Sequence, residues 1–138
     1  MQKILMLLAL SFLTFSCSDN DGDEHNHEEE TTYTVAIMSP AAVEQAAGES
    51  VHIHVNFDEI NEGTIHHINV KITNETTGEV IYDKPEIAHI HESSGHYEWH
   101  DDFILDVDKD SNLLLSAKVW GHEAGVAEVI EDISFDVK

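Results

Sequence analysis

The chain has 138 residues, in which 28 acidic side chains stand against six lysines and no arginine; the formal net charge is −22 at pH 7, and eleven residues are histidine. This balance excludes nucleic acid as a partner, because phosphates must be neutralised by basic side chains, and it leaves no arginine fork for a phosphate or carboxylate ligand. A cation is the guest that such a field favours.

In chain order, Met1-Gln2-Lys3 carries the only early positive charge, an apolar run follows from Ile4 to Phe15, and the run ends at Ser16-Cys17. These three parts predict a cleaved signal peptide over residues 1–16. A dozen apolar residues is short for the roughly 30 Å core of a bilayer, so a transmembrane helix is not expected. The segment Leu13-Thr14-Phe15-Ser16-Cys17 resembles the lipobox of bacterial lipoproteins, with Phe15 bulkier than is usual there. That resemblance implies lipidation of Cys17, the single cysteine, and a membrane partnership through the lipid anchor. No thiolate then remains for a disulfide, a metal or nucleophilic catalysis. Removal of the signal leaves about 120 residues, enough for one core.

Residues 17–32 follow as an acidic stretch that lacks apolar side chains after Cys17 and is expected to be a flexible tether. An acidic run directly after the lipidated cysteine is similar to the surface-export signal of Bacteroidota-type lipoproteins, which implies an outer-membrane lipoprotein exposed at the cell surface.

From Tyr33 onward, short apolar runs alternate with period two between turn residues, and no stretch sustains a helical period. Strands are predicted over 33–38, 50–57, 65–73, 79–83, 87–92, 96–105, 113–120 and 126–137, with Gly, Asn, Asp, Ser and Pro between them. Residues 33–138 are therefore expected to be one all-β domain. The pattern resembles an immunoglobulin-like antiparallel β-sandwich of seven to eight strands, without the cysteine pair of antibody domains. A small antiparallel barrel is the alternative.

The histidines supply candidate metal ligands. In 50–57, Val51, Ile53, Val55 and Phe57 share one face, so His52 and His54 point to the other. Side chains two apart on a strand sit about 6.5 to 7 Å apart at the backbone, close enough to converge on one ion at Zn–N distances near 2.0 to 2.1 Å. In 65–73, alternation puts His66 on the core side and His67 outward. The densest stretch, AHIHESSGHYEWHDD, reads as two strands around a turn at 92–95. A hairpin there would unite His89 and His91 with His96, Glu98 and His100, while Tyr97 and Trp99 face inward. Such a set suits a borderline divalent metal, zinc first, then copper(II) or nickel. His122 is an isolated candidate, useful only if its loop closes over a cluster. His25 and His27, in the acidic tail, would bind weakly because ordering the tail costs entropy.

The run from Asp106 to Asn112 has the alternating oxygens of a calcium loop, but Ser111 replaces the glycine of an EF-hand and Ala117 stands where its bidentate glutamate is needed. An acidic turn explains it, and calcium is not the expected cofactor. Three functions compete. The first is capture, buffering or transfer of a divalent metal at the cell envelope. The second is a non-catalytic adhesion or accessory domain, with an envelope protein partner and pH-sensitive histidines. The third is a zinc hydrolase, for which no HExxH or GxSxG motif is present.

Overall fold

The computed structural model describes residues 32–61, 63–122 and 128–138. The expected signal peptide, Cys17, His25, His27 and tether residues 17–31 lie outside the described residues, as do 126–127 at the start of the last expected strand. Among the described residues, no helix is long and apolar enough to cross a membrane.

Eight strands follow one another: β1 (Tyr33–Ser39), β2 (Ser50–Glu59), β3 (Ile65–Asn74), β4 (Val80–Lys84), β5 (His89–Glu92), β6 (His96–Ile104), β7 (Asn112–Trp120) and β8 (Val129–Asp136). They form two antiparallel sheets, one of order β1-β2-β6 and one of order β4-β3-β7-β8, with β5 also paired to β3. Among the described residues no strand ladder joins the two sheets, so the architecture is an immunoglobulin-like sandwich and not a barrel.

Alternation along each strand decides which side chains enter the space between the sheets. Val51, Ile53, Val55 and Phe57 of β2 face Ile68, Val70 and Ile72 of β3 and Leu113, Leu115, Ala117 and Val119 of β7, all buried. Each such side chain contributes about 1.5 to 3 kcal/mol when removed from water, alanine less. At the margin of the core, Tyr82 of β4 reaches across the sandwich to β6. Its hydroxyl accepts from Trp99 Nε1 at 3.0 Å and donates to Asp101 Oδ2 at 2.9 Å.

β3 gives one edge to β7 and divides the other, pairing β4 along Val70 to Thr73 and β5 along Ile65 to His67. This corrects the expected hairpin. β5 belongs to the β3 sheet and β6 pairs with β2, so the turn at Ser93 to Gly95 carries the chain from one layer to the other. Gly95, with φ 73°, supplies the left-handed conformation that this crossing needs.

A second correction concerns His66. Ile65 and Ile68 are both buried although three residues apart, and the β3–β5 register shifts between Ile65 and His67. The irregularity interrupts strict alternation, so His66 and His67 are both half-exposed instead of one facing the core.

Candidate metal centres

The histidines of the described chain divide between the two sheets. On the outer face of the first sheet, the β2–β6 ladder sets His52 opposite Asp102, His54 opposite His100, Asn56 opposite Glu98 and Asp58 opposite His96. The outward members of both strands thus form a single polar strip. His52 Nδ1 lies 2.9 Å from Asp102 Oδ1, and His52 Nε2 lies 3.5 Å from His100 Nδ1. Glu98 bridges two imidazoles, with Oε2 3.2 Å from His100 Nε2 and Oε1 3.2 Å from His96 Nε2. His96 Nδ1 in turn lies 2.6 Å from Asp58 Oδ1.

Within this strip, His54, Glu98 and His100 bring one ligand atom each to within 4.8 Å of one another. His54 Nε2 and Asn56 Oδ1 are buried atoms without a hydrogen-bond partner. A buried polar atom left unmatched is costly, and an ion at this triad would give the imidazole nitrogen a partner. Hydrogen bonds donated to Asp58, then Glu98, hold His96 above the ordinary histidine value, and those accepted from His100, then His96, hold Glu98 below the usual carboxylate range.

The second concentration lies on the other sheet. The ladder places His89 of β5 opposite His67 of β3, and His67 opposite Trp120 of β7. The three rings stack as a row: His67 is 4.8 Å from His89 and 5.1 Å from Trp120, centroid to centroid, with an interplanar angle of 10° to Trp120. His122, two residues beyond the row, stands nearly perpendicular to it, with centroids 4.4 Å from His67 and 5.0 Å from His89. His91 completes the group from the far end of β5, its Nδ1 3.3 Å from His66 Nδ1.

Five imidazoles from three chain segments therefore form two overlapping triads, His66-His89-His91 and His67-His89-His122, each with ligand atoms within 4.8 Å. Loss of water contact, followed by the fields of His122 and the other rings, lowers His66; the same two causes lower His67. A hydrogen bond to the backbone of Trp120 acts in the opposite direction on His67. His67 Nδ1 is buried without a hydrogen-bond partner.

The residues predicted from the sequence are thus redistributed. His52, His54, His96 and His100 lie on the first sheet; His67, His89 and His91 lie on the second. His89 and His91 do not meet His96 and His100. His66 and His122 join the second group; His66 was expected on the core side, and His122 only as an isolated candidate should its loop close over a cluster. His122 sits past the end of β7, where no periodicity reports direction; only the fold brings its ring beside His66 and His67 of β3. Among the described residues, no triad of this kind includes Asp106, Asp108 or Asp110. Ser111 Oγ there donates to the Asp108 carbonyl, as a closed turn does.

No protein-family model matches the sequence, and no curated protein does. Solved structures do. The chain is similar to the CARDB domain of the PF1109 protein from Pyrococcus furiosus, in complex with di-metal ions, at TM-score 0.55 and 12% identity over 80% of this chain and 90% of that one. The solution structure of that domain gives TM-score 0.48 at 10% identity, covering 77% and 95%. A beta-glucosidase from Listeria innocua gives 0.48 at 15% identity, covering 78% of this chain and 16% of the enzyme. At this identity the likeness to the Pyrococcus furiosus domain is one of fold, an immunoglobulin-like sandwich.

Proposed function

We propose that this chain is a divalent-metal-binding module of the cell envelope, held to the membrane by lipid on Cys17, which captures, buffers or hands on an ion. The observation that carries the reading is the five-imidazole group on β3, β5 and His122, whose nitrogens lie within ligand reach of one another in two triads. Uncharged nitrogen donors suit zinc first, then copper(II) or nickel, and suit calcium poorly. The unpartnered Nδ1 of His67 and Nε2 of His54 support the same reading. So does the overall charge, which concentrates cations near the surface. The Pyrococcus furiosus domain, of the same fold, is in complex with di-metal ions. The role requires no catalytic step, and transfer of the ion would be to an envelope protein partner.

Zinc titrated into the demetallated protein tests the reading. Binding tighter than about micromolar, lost stepwise in His67→Ala, His89→Ala and His122→Ala, is expected. Weaker binding, or affinity indifferent to all three substitutions, overturns it. Incorporation of labelled fatty acid into the expressed precursor, abolished by Cys17→Ser, tests the anchor separately.

A further inference from the structure

We propose that the five-imidazole group takes two divalent ions that share His89 as a bridging ligand. The inference rests on the metal-binding reading above and adds the number of ions and the way they are connected.

Two distances carry it. His66 Nδ1 and His91 Nδ1 are 3.3 Å apart, and His89 Nε2 and His122 Nε2 are 3.3 Å apart. Two nitrogens bound tetrahedrally to one zinc at 2.0 to 2.1 Å are separated by about 3.3 to 3.4 Å. Each pair therefore already has the spacing of two ligands on one ion, and the pairs share no residue. An ion between the first pair uses Nδ1 of both His66 and His91. An ion between the second uses Nε2 of both His89 and His122, with His67 as the third donor of that triad.

His89 is the only member common to both triads. One nitrogen lone pair serves one ion, so with Nε2 committed beside His122, Nδ1 is the atom left for the ion of His66 and His91. Both nitrogens of one ring coordinate only after its remaining N–H proton has left, so loading the second ion releases that proton from His89 to solvent. Three nitrogens per ion leave each with an open position, the arrangement of sites that exchange a ligand rather than of closed structural sites. The bridging imidazolate brings one negative charge between two dications. Their repulsion still makes the second ion the weaker, by at least about tenfold in affinity.

Copper(II) is the probe, added to the full chain carrying His25→Ala, His27→Ala, His52→Ala, His54→Ala, His96→Ala and His100→Ala so that the imidazoles of the tail and of the first-sheet strip are removed. Equilibrium dialysis is expected to give two ions per chain. Electron paramagnetic resonance is expected to show a mononuclear signal at one equivalent and a loss of integrated intensity at two, as the spins couple through the imidazolate. His89→Ala abolishes the coupling. His122→Ala, in the connection after β7, removes the second ion and the coupling while keeping the first, and serves should His89→Ala not fold. One ion per chain, or two with full uncoupled intensity, overturns the shared ligand and leaves metal binding in place. No bound copper overturns both.

Discussion

His54 of β2 and His100 of β6 face each other across the ladder, their rings stacked with centroids 4.0 Å apart and 27° between planes. Glu98, two residues before His100 on the same face, completes the triad and is its only carboxylate. This site lies on the other sheet from the five-imidazole group and shares no residue with it, so the two are expected to load independently. His54→Ala or His100→Ala is expected to lower zinc stoichiometry by one without changing affinity at the remaining sites. Glu98→Gln is expected to weaken the first-sheet site by more than about 100-fold, beyond the 10- to 100-fold typical of outer-sphere partners. Calorimetric titration of the three variants checks this, and an unchanged isotherm for all of them refutes it.

The two clusters are expected to respond to pH in opposite directions when metal-free. His66 and His67 lie below the ordinary value of 6.5, from loss of water contact first and neighbouring imidazoles second. There the unfolded chain binds protons more readily than the folded one. Stability is therefore lost as pH falls from 6.5 through the folded values. His96 lies above 6.5 because Asp58 and Glu98 accept its protons in hydrogen bonds. Its contribution is fully present below 6.5 and is lost as pH rises through the folded value. Proton resonance titration of these three rings is expected to place His96 above His66 and His67. The reverse order would sink the assignment.

His91 adopts φ 55°, the left-handed region that costs a side chain of its kind about 1 to 2 kcal/mol. The conformation falls at the third residue of β5, and the ring lies beside that of His66. His91→Gly removes the strain but adds about 0.5 to 1 kcal/mol of chain entropy lost on folding. The metal-free variant is accordingly expected to be as stable as the parent or more stable by about 1 kcal/mol, while the ion shared with His66 is lost. Urea unfolding with and without zinc separates the two effects. A metal-free variant less stable by more than about 1 kcal/mol contradicts the account.

Where burial follows strict alternation, the strands and their faces were legible in the sequence. Val51, Ile53, Val55 and Phe57 leave no second way to orient β2, so His52 and His54 face outward as expected. The partner of β5 was not legible, because Glu92 to Gly95 has the composition of a hairpin turn and of a crossing between layers alike. The choice is made by the edge of β3 that β4 leaves open, which is a property of the assembled sheet. His66 was misplaced for a related reason: a local irregularity shifts parity without leaving a mark in composition, and only the burial of both Ile65 and Ile68 reveals it. The histidines were thus grouped by chain proximity where the fold groups them by sheet.

The tie between the sheets at Tyr82 offers a test of the sandwich that is independent of metal. Its hydroxyl accepts from Trp99 Nε1 and donates to Asp101 Oδ2, and its ring meets Phe103 edge-on with centroids 5.2 Å apart. Burial, with a further contribution from Asp101, holds the phenol well above the ordinary tyrosine value. Tyr82→Phe keeps the ring and its packing but removes both bonds, leaving the Trp99 indole N–H and the half-buried Asp101 carboxylate each without this partner. Such a loss costs about 1 to 3 kcal/mol. Because Tyr82 contributes to neither candidate metal centre, urea unfolding is expected to show the drop while zinc stoichiometry and affinity are unchanged. A variant that loses zinc along with stability would mean that the clusters depend on the closure of the sheets as well as on their own strands.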